Sequence, residues 1–123
     1  MADDLLRTFD DDIVALVADR TEPTAERLTE LLRAHQQQVR DNPGVEDIVY
    51  EWRSQFHEAP LLHRTADAYY LRLRTHVWEE FASALDIPDV ELDALLDAHE
   101  EQVRRETGAE RGENERFMVL TRE

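Results

Sequence analysis

Apolar residues recur along most of the chain with a spacing of three and four, the period of a helix with one buried face. The first such stripe covers about residues 3–18 and contains Leu5, Leu6, Phe9, Ile13, Leu16 and Val17. Arg20-Thr21-Glu22-Pro23 interrupts it, with Pro23 suited to the first turn of the next helix. A second helix is expected at about 23–40 through Leu28, Leu31, Leu32, His35 and Val39, and Asp41-Asn42-Pro43-Gly44 ends it. A third, at about 44–57, carries Ile48, Val49, Trp52 and Phe56, and stops before Pro60. The pattern then predicts one long helix over 61–85, with Leu62, Ala66, Tyr69, Tyr70, Leu73, Val77, Phe81 and Leu85 on its inner face. Asp86-Ile87-Pro88 turns the chain into a fifth helix at about 88–107, which Gly108 closes. The expected fold is all-α: an up-and-down bundle of about five helices forming one domain at 1–108, followed by a short extended C-terminal tail at 109–123.

An internal repeat adds detail. LTELLRAHQQQVR at 28–40 and LDALLDAHEEQVR at 92–104 share eight of thirteen positions at an offset of 64. The same offset sets the apolar positions of the first helix against Tyr69, Tyr70, Leu73, Val77 and Phe81. This predicts two duplicated helical hairpins joined by a linking helix. In the tail, Phe117-Met118-Val119-Leu120 is an apolar run between charged residues and needs something to cover it. Docking on the bundle, pairing as a strand and contact with a second subunit are the alternatives, and these four residues are the expected oligomer interface.

Charge changes the picture of the surface. The chain carries 29 Asp and Glu against 14 basic residues, all of them Arg, for a net charge of −15. The acids are spread along the chain rather than gathered in a tail. This composition resembles that of proteins from salt-accumulating haloarchaea, where molar salt shortens the Debye length to about 3 Å and screens carboxylate repulsion. It predicts a halophile-adapted, cytoplasmic protein. The acidic N-terminus is unlike the basic start of a signal peptide, and no apolar run approaches membrane-spanning length. With no Cys, thiol catalysis, disulfides and thiolate metal sites drop out. Three Gly leave little material for a phosphate-cradling loop.

The acidic coat is interrupted once. Residues 50–78 hold Arg53, Arg64, Arg72 and Arg74 against Glu51, Glu58 and Asp67, together with His57, His63 and His76. Seven of the nine aromatics lie between 50 and 81, so the segment combines the residue types enriched at protein contacts. A core with a few ion pairs would also explain the aromatics. The surface expected to meet a protein partner, or a second copy in a homodimer, is Trp52, Arg53, His57, His63, Arg64 and His76. The alternative is a small enzyme binding a metal or anionic ligand through His57, His63, His76, Glu79 and Glu80. His35 and His99 occupy equivalent repeat positions; read as metal ligands they would meet near the pseudo-axis, and read structurally each is a hydrogen-bonded histidine at the core boundary. However, Leu32 and Leu96 stand where a di-iron bundle places carboxylates, so a structural role is expected. Burial would also depress the pKa values of these histidines. Asp93, Asp97, Glu100 and Glu101 are the one candidate for a nucleic-acid mimic and read more simply as a solvated face. No cofactor is expected, and neither nucleic acid nor membrane is an expected partner.

Overall fold

The computed structural model describes residues 9–41, 61–110 and 115–121. In these, four helices pack with a three-stranded antiparallel sheet. The all-α bundle is therefore incorrect. Helix α1 runs Asp11–Arg20 and α2 runs Ala25–Asp41. Strand β1 (Leu61–Arg64) and strand β2 (Ala68–Arg74) form a hairpin. Helix α3 is Thr75–Leu85, helix α4 is Asp89–Thr107, and strand β3 is Glu115–Thr121. The expected third helix at 44–57 lies outside the described residues.

The helices begin and end where local chemistry allows. Asp11 and Asp12 place negative charge in the first turn of α1 and Arg20 sits in its last, complementing the helix dipole. Thr24 caps α2, its Oγ1 accepting the Arg27 N–H at 3.1 Å. Gly108 closes α4 with φ of 69°, and its N–H reaches the Arg104 carbonyl at 2.8 Å.

Residues 61–74 are where the helical period misleads. Leu62, Ala66, Tyr69, Tyr70 and Leu73 do fall at helical spacing, but Leu71-Arg72-Leu73-Arg74 also alternates with a period of two. Thr65 resolves the ambiguity locally. Its Oγ1 accepts the N–H groups of Asp67 and Ala68 at 3.1 and 3.0 Å, and its own N–H donates to the Ala68 carbonyl at 2.9 Å. That closes a tight hairpin turn. The second determinant is distant: β2 pairs along its length with β3, from Ala68 opposite Thr121 to Arg74 opposite Glu115. A period count within 61–85 has no access to that partner. The same strand overturns the duplicated hairpins, since 69–74 is β structure where the 64-residue offset requires helix.

The core is one cluster drawn from every described element except β1, whose Leu61 and Leu62 pack against it half-buried. The sheet order is β1-β2-β3, so β2 is central. α4 packs along β3 and against α1 and α2. Arginine clamps hold these helices together at the surface. Arg20 donates to Asp97 at 2.8 Å and Glu101 at 3.0 Å. Arg27 donates twice to Glu91, at 2.7 and 2.8 Å. Arg105 reaches Asp10 at 3.0 Å and Asp12 at 2.9 Å. The planar guanidinium suits such forked contacts, which gives the Arg-only composition a structural use. Asp97 and Glu101, two of the four carboxylates in the candidate nucleic-acid-like face, are thus engaged by Arg20.

Salt acts on the clamps and on the acidic surface in opposite senses. Clamp contacts are no longer than the roughly 3 Å Debye length of molar salt, so screening touches them little. Repulsion among the more widely spaced carboxylates behind the −15 charge is screened strongly. The melting temperature is therefore expected to rise by several degrees from tenth-molar to molar KCl, followed by circular dichroism. A fall over that range would mean that the attractive pairs dominate.

Candidate functional site

Among the described residues, a dense arrangement of buried polar groups surrounds β3. In the pairing with β2, the backbone of Phe117, Val119 and Thr121 faces away from the sheet, which would normally leave an open edge. Here side chains close that edge. Trp78 Nε1 on α3 donates to the Phe117 carbonyl at 3.1 Å. Gln36 on α2 uses both ends of its amide: Nε2 donates to the Val119 carbonyl at 2.7 Å, and Oε1 accepts the Thr121 N–H at 2.9 Å. His99 on α4 accepts the Val119 N–H on Nδ1 at 2.9 Å. β3 is consequently bonded along both edges, and Phe117, Met118, Val119, Leu120 and Thr121 are all buried.

His35 and His99 meet beside this edge. Both are fully buried, and their rings stand nearly perpendicular with centroids 5.1 Å apart. Trp78 stacks on His35 at 4.6 Å and meets His99 edge-on at 4.7 Å. Phe81 and Phe9 close the cluster against His35 and His99, each at 5.0 Å. Burial drives the His35 pKa down to about 3. His99 is held well below its ordinary value, first by burial and then by the neighbouring His35. Both rings are neutral at neutral pH.

The hydrogen bonds also assign the tautomers. His99 Nδ1 accepts from a backbone N–H, so the ring proton sits on Nε2. The Gln36 amide is oriented by its two backbone bonds, which turn its Nε2–H group toward His35 Nδ1 at 3.4 Å. His35 then also carries its proton on Nε2. Neither Nε2 has a hydrogen-bond partner among the described residues. A protonated Nε2 has no lone pair for a metal, so the two histidines meet without forming a ligand pair. Among the described residues, no group of three or more His, Asp or Glu is arranged to hold a metal ion.

The residues expected to meet a partner are not gathered in one described place. Trp52, Arg53 and His57 lie outside the described residues. His63 and Arg64 are exposed on β1, with the His63 ring 5.8 Å from that of Tyr70. His76 stands in the first turn of α3, its side chain outside what is described, and Glu79 and Glu80 are exposed farther along that helix. Phe117, Met118, Val119 and Leu120 lie in the chain's own core. Gln36 and Trp78 were not singled out in the sequence as edge-capping groups. One available signal was the run Gln36-Gln37-Gln38 directly after a stripe histidine, of which Gln36 is the buried member. Gln102 has a related role, its Oε1 accepting the Asp10 N–H at 2.9 Å at the start of α1.

Among the described residues, no helix is long and apolar enough to cross a membrane. Comparison with curated proteins and with solved structures found no match. A family model described as a domain of unknown function, DUF8048, matches residues 7–122, nearly the whole chain, and the protein therefore belongs to that family.

Proposed function

We propose that the protein works by binding other protein rather than by catalysis, in a salt-rich cytoplasm, with a second copy of the chain as its first partner. The observation that carries this reading is the direction in which the polar chemistry faces. Gln36, Trp78 and His99 are committed to the β3 backbone, so among the described residues this polar cluster spends its hydrogen bonds inside the fold. Outside, β1 offers the exposed His63 and Arg64 on an otherwise strongly acidic chain. That strand pairs with β2 alone among the described strands. It is the surface offered to a protein partner, and the acidic remainder disfavours nucleic acid.

Self-association is tested on the full chain. Deleting 113–123 would remove Phe117, Met118, Val119 and Leu120 from the core, so truncation would report on folding instead. Light scattering over a dilution series in molar KCl is expected to give a dimer at the upper concentrations. A monomer throughout would overturn the second copy as partner.

A further inference from the structure

We infer that His35 and His99 hold one buried water between them: their two Nε2–H groups donate to a single neutral oxygen on the side of the rings turned away from β3. The site is independent of the self-association proposed above.

Both rings turn the same nitrogen toward the strand. His99 Nδ1 accepts the Val119 N–H at 2.9 Å, and His35 Nδ1 faces the Gln36 Nε2 group that donates to the Val119 carbonyl. The two nitrogens of an imidazole point to different sides of the ring, so both Nε2–H groups are directed away from Val119. The ring centroids are 5.1 Å apart and the planes nearly perpendicular. One oxygen at an ordinary N–H···O distance of about 2.9 Å from each nitrogen spans rings at that separation. Both histidines are fully buried, and neither Nε2 has a partner among the described residues. Two buried donors without bonds are costly, and protein interiors satisfy such groups with ordered water. Gln38 completes the set. Its Oε1, one turn beyond His35 on α2, is also buried without a partner among the described residues, and it can only accept. Two donors and an acceptor match the bonds of one water, which accepts twice and donates.

The surroundings select a neutral occupant. Trp78, Phe81 and Phe9 pack on the pair with ring centroids 4.6 to 5.0 Å away. A halide there would give up its hydration for two neutral donors and aromatic rings, and a cation would find no lone pair on either protonated Nε2. Water carries neither penalty. Phe9 has a second part in the site. It lines a groove between α1 and α2 together with Val14, Ala15, Ala25 and Thr29, and its ring also meets His99. One side chain thus borders both the groove and the histidine pair, and it closes the water from solvent on that side.

Crystals of the full chain grown from molar KBr test the site. The expected map has one peak within about 3.2 Å of both Nε2 atoms, with no anomalous signal at the bromine edge. A bromide peak would overturn the neutral occupant, and no peak at all would overturn the site. Nitrogen-15 NMR of the same chain in solution is expected to show both rings protonated on Nε2, with Overhauser cross-peaks from those protons to a long-lived water. A ring protonated on Nδ1 instead would remove a donor and sink the bridge. His35→Phe keeps a ring against Trp78 and Phe81 and deletes one donor, so its crystals are expected to lose the peak. A peak retained at full strength would show that the water does not depend on the pair. If that variant does not fold, the wild-type map and spectra decide. Phe9→Ala is expected to speed exchange of the His99 Nε2 proton with solvent by about tenfold or more, and unchanged exchange would overturn closure by the Phe9 ring.

Discussion

Replacing Gln36 with leucine is expected to destabilise the folded chain by about 2–5 kcal/mol, because it orphans two buried backbone groups at once. The Val119 carbonyl and the Thr121 N–H both take their outer bond from this one amide, and both residues are fully buried. Leucine is close in volume and has no polar group of its own to satisfy, so cavity formation contributes little and the loss comes from the stranded strand edge. For a domain whose total stability lies in the usual range of about 5–15 kcal/mol, that is a large fraction. Gln36→Glu separates the two ends of the amide. The carboxylate still accepts from Thr121, but it opposes the Val119 carbonyl and buries a charge, so it is expected to be at least as destabilising. Urea unfolding in molar KCl measures both variants. A change below about 1 kcal/mol for leucine would mean that β3 does not depend on its outer edge.

Acid is expected to weaken the fold through the buried histidine pair. Below the ordinary histidine value of 6.5, the unfolded chain takes up protons at His35 and His99, while the folded chain keeps both rings neutral. A group whose folded pKa is depressed contributes its full stability above the unfolded pKa and loses it as pH falls toward the folded one. For His35 that window runs from 6.5 down to about 3. At pH 5 the loss through His35 is about 2 kcal/mol, and His99, held low by burial and by His35, adds to it in the same direction. Protonation at His99 Nδ1 would also set a donor against the Val119 N–H, releasing the strand edge.

His35→Phe is the matching variant. It keeps an aromatic ring against Trp78 and Phe81 and removes a buried nitrogen that has no partner among the described residues. The His35 share, about 2 kcal/mol of the pH 7 to pH 5 loss, is then expected to disappear. Equal stability of wild type at the two pH values would exclude the coupling. Relief of carboxylate repulsion works in the opposite sense, but it sets in chiefly below about pH 4.5, where Asp and Glu begin to protonate. The histidine effect is therefore read between pH 7 and 5.

The helices were legible because their information is local. Leu28, Leu31, Leu32, His35 and Val39 mark a buried stripe on α2 without reference to any other segment, and Gly108 marks the end of α4. The repeat also carried real content in one respect: His35 and His99, equivalent by the 64-residue offset, do meet in the core. Where the repeat was extended to the preceding helices it failed, because Tyr69–Arg74 belongs to a strand. The residues at helical spacing there are compatible with either structure, and the choice depends on β3, some 47 residues away along the chain at the Leu71–Met118 pair.

The candidate site divides along the same line. That His35 and His99 would be buried and of depressed pKa follows from their place in two apolar stripes, and the missing carboxylates at Leu32 and Leu96 argued against a di-iron centre. Which nitrogen of each ring carries the proton, and that Gln36 and Trp78 close a strand edge, depends on a backbone segment no helical pattern contains. The apolar run Phe117–Leu120 demanded cover, but a run of four cannot specify what supplies it.

By itself, then, the sequence determined the buried stripes of α1, α2 and α4, the stop of α4 at Gly108, the acidic Arg-only surface and the need to bury Phe117–Leu120, but it started the first helix at 3 and the long one at 61 where α1 begins at Asp11 and α3 at Thr75. Only the tertiary structure decided that 61–74 is a hairpin, that β3 completes the sheet and that buried amide and imidazole groups bond its outer edge. The physical reason is the range of the interactions. Helix hydrogen bonds join residues four apart, so a short window holds the cause with the effect. A strand acquires its bonds from partners far along the chain, and here four of them come from side chains on three different helices.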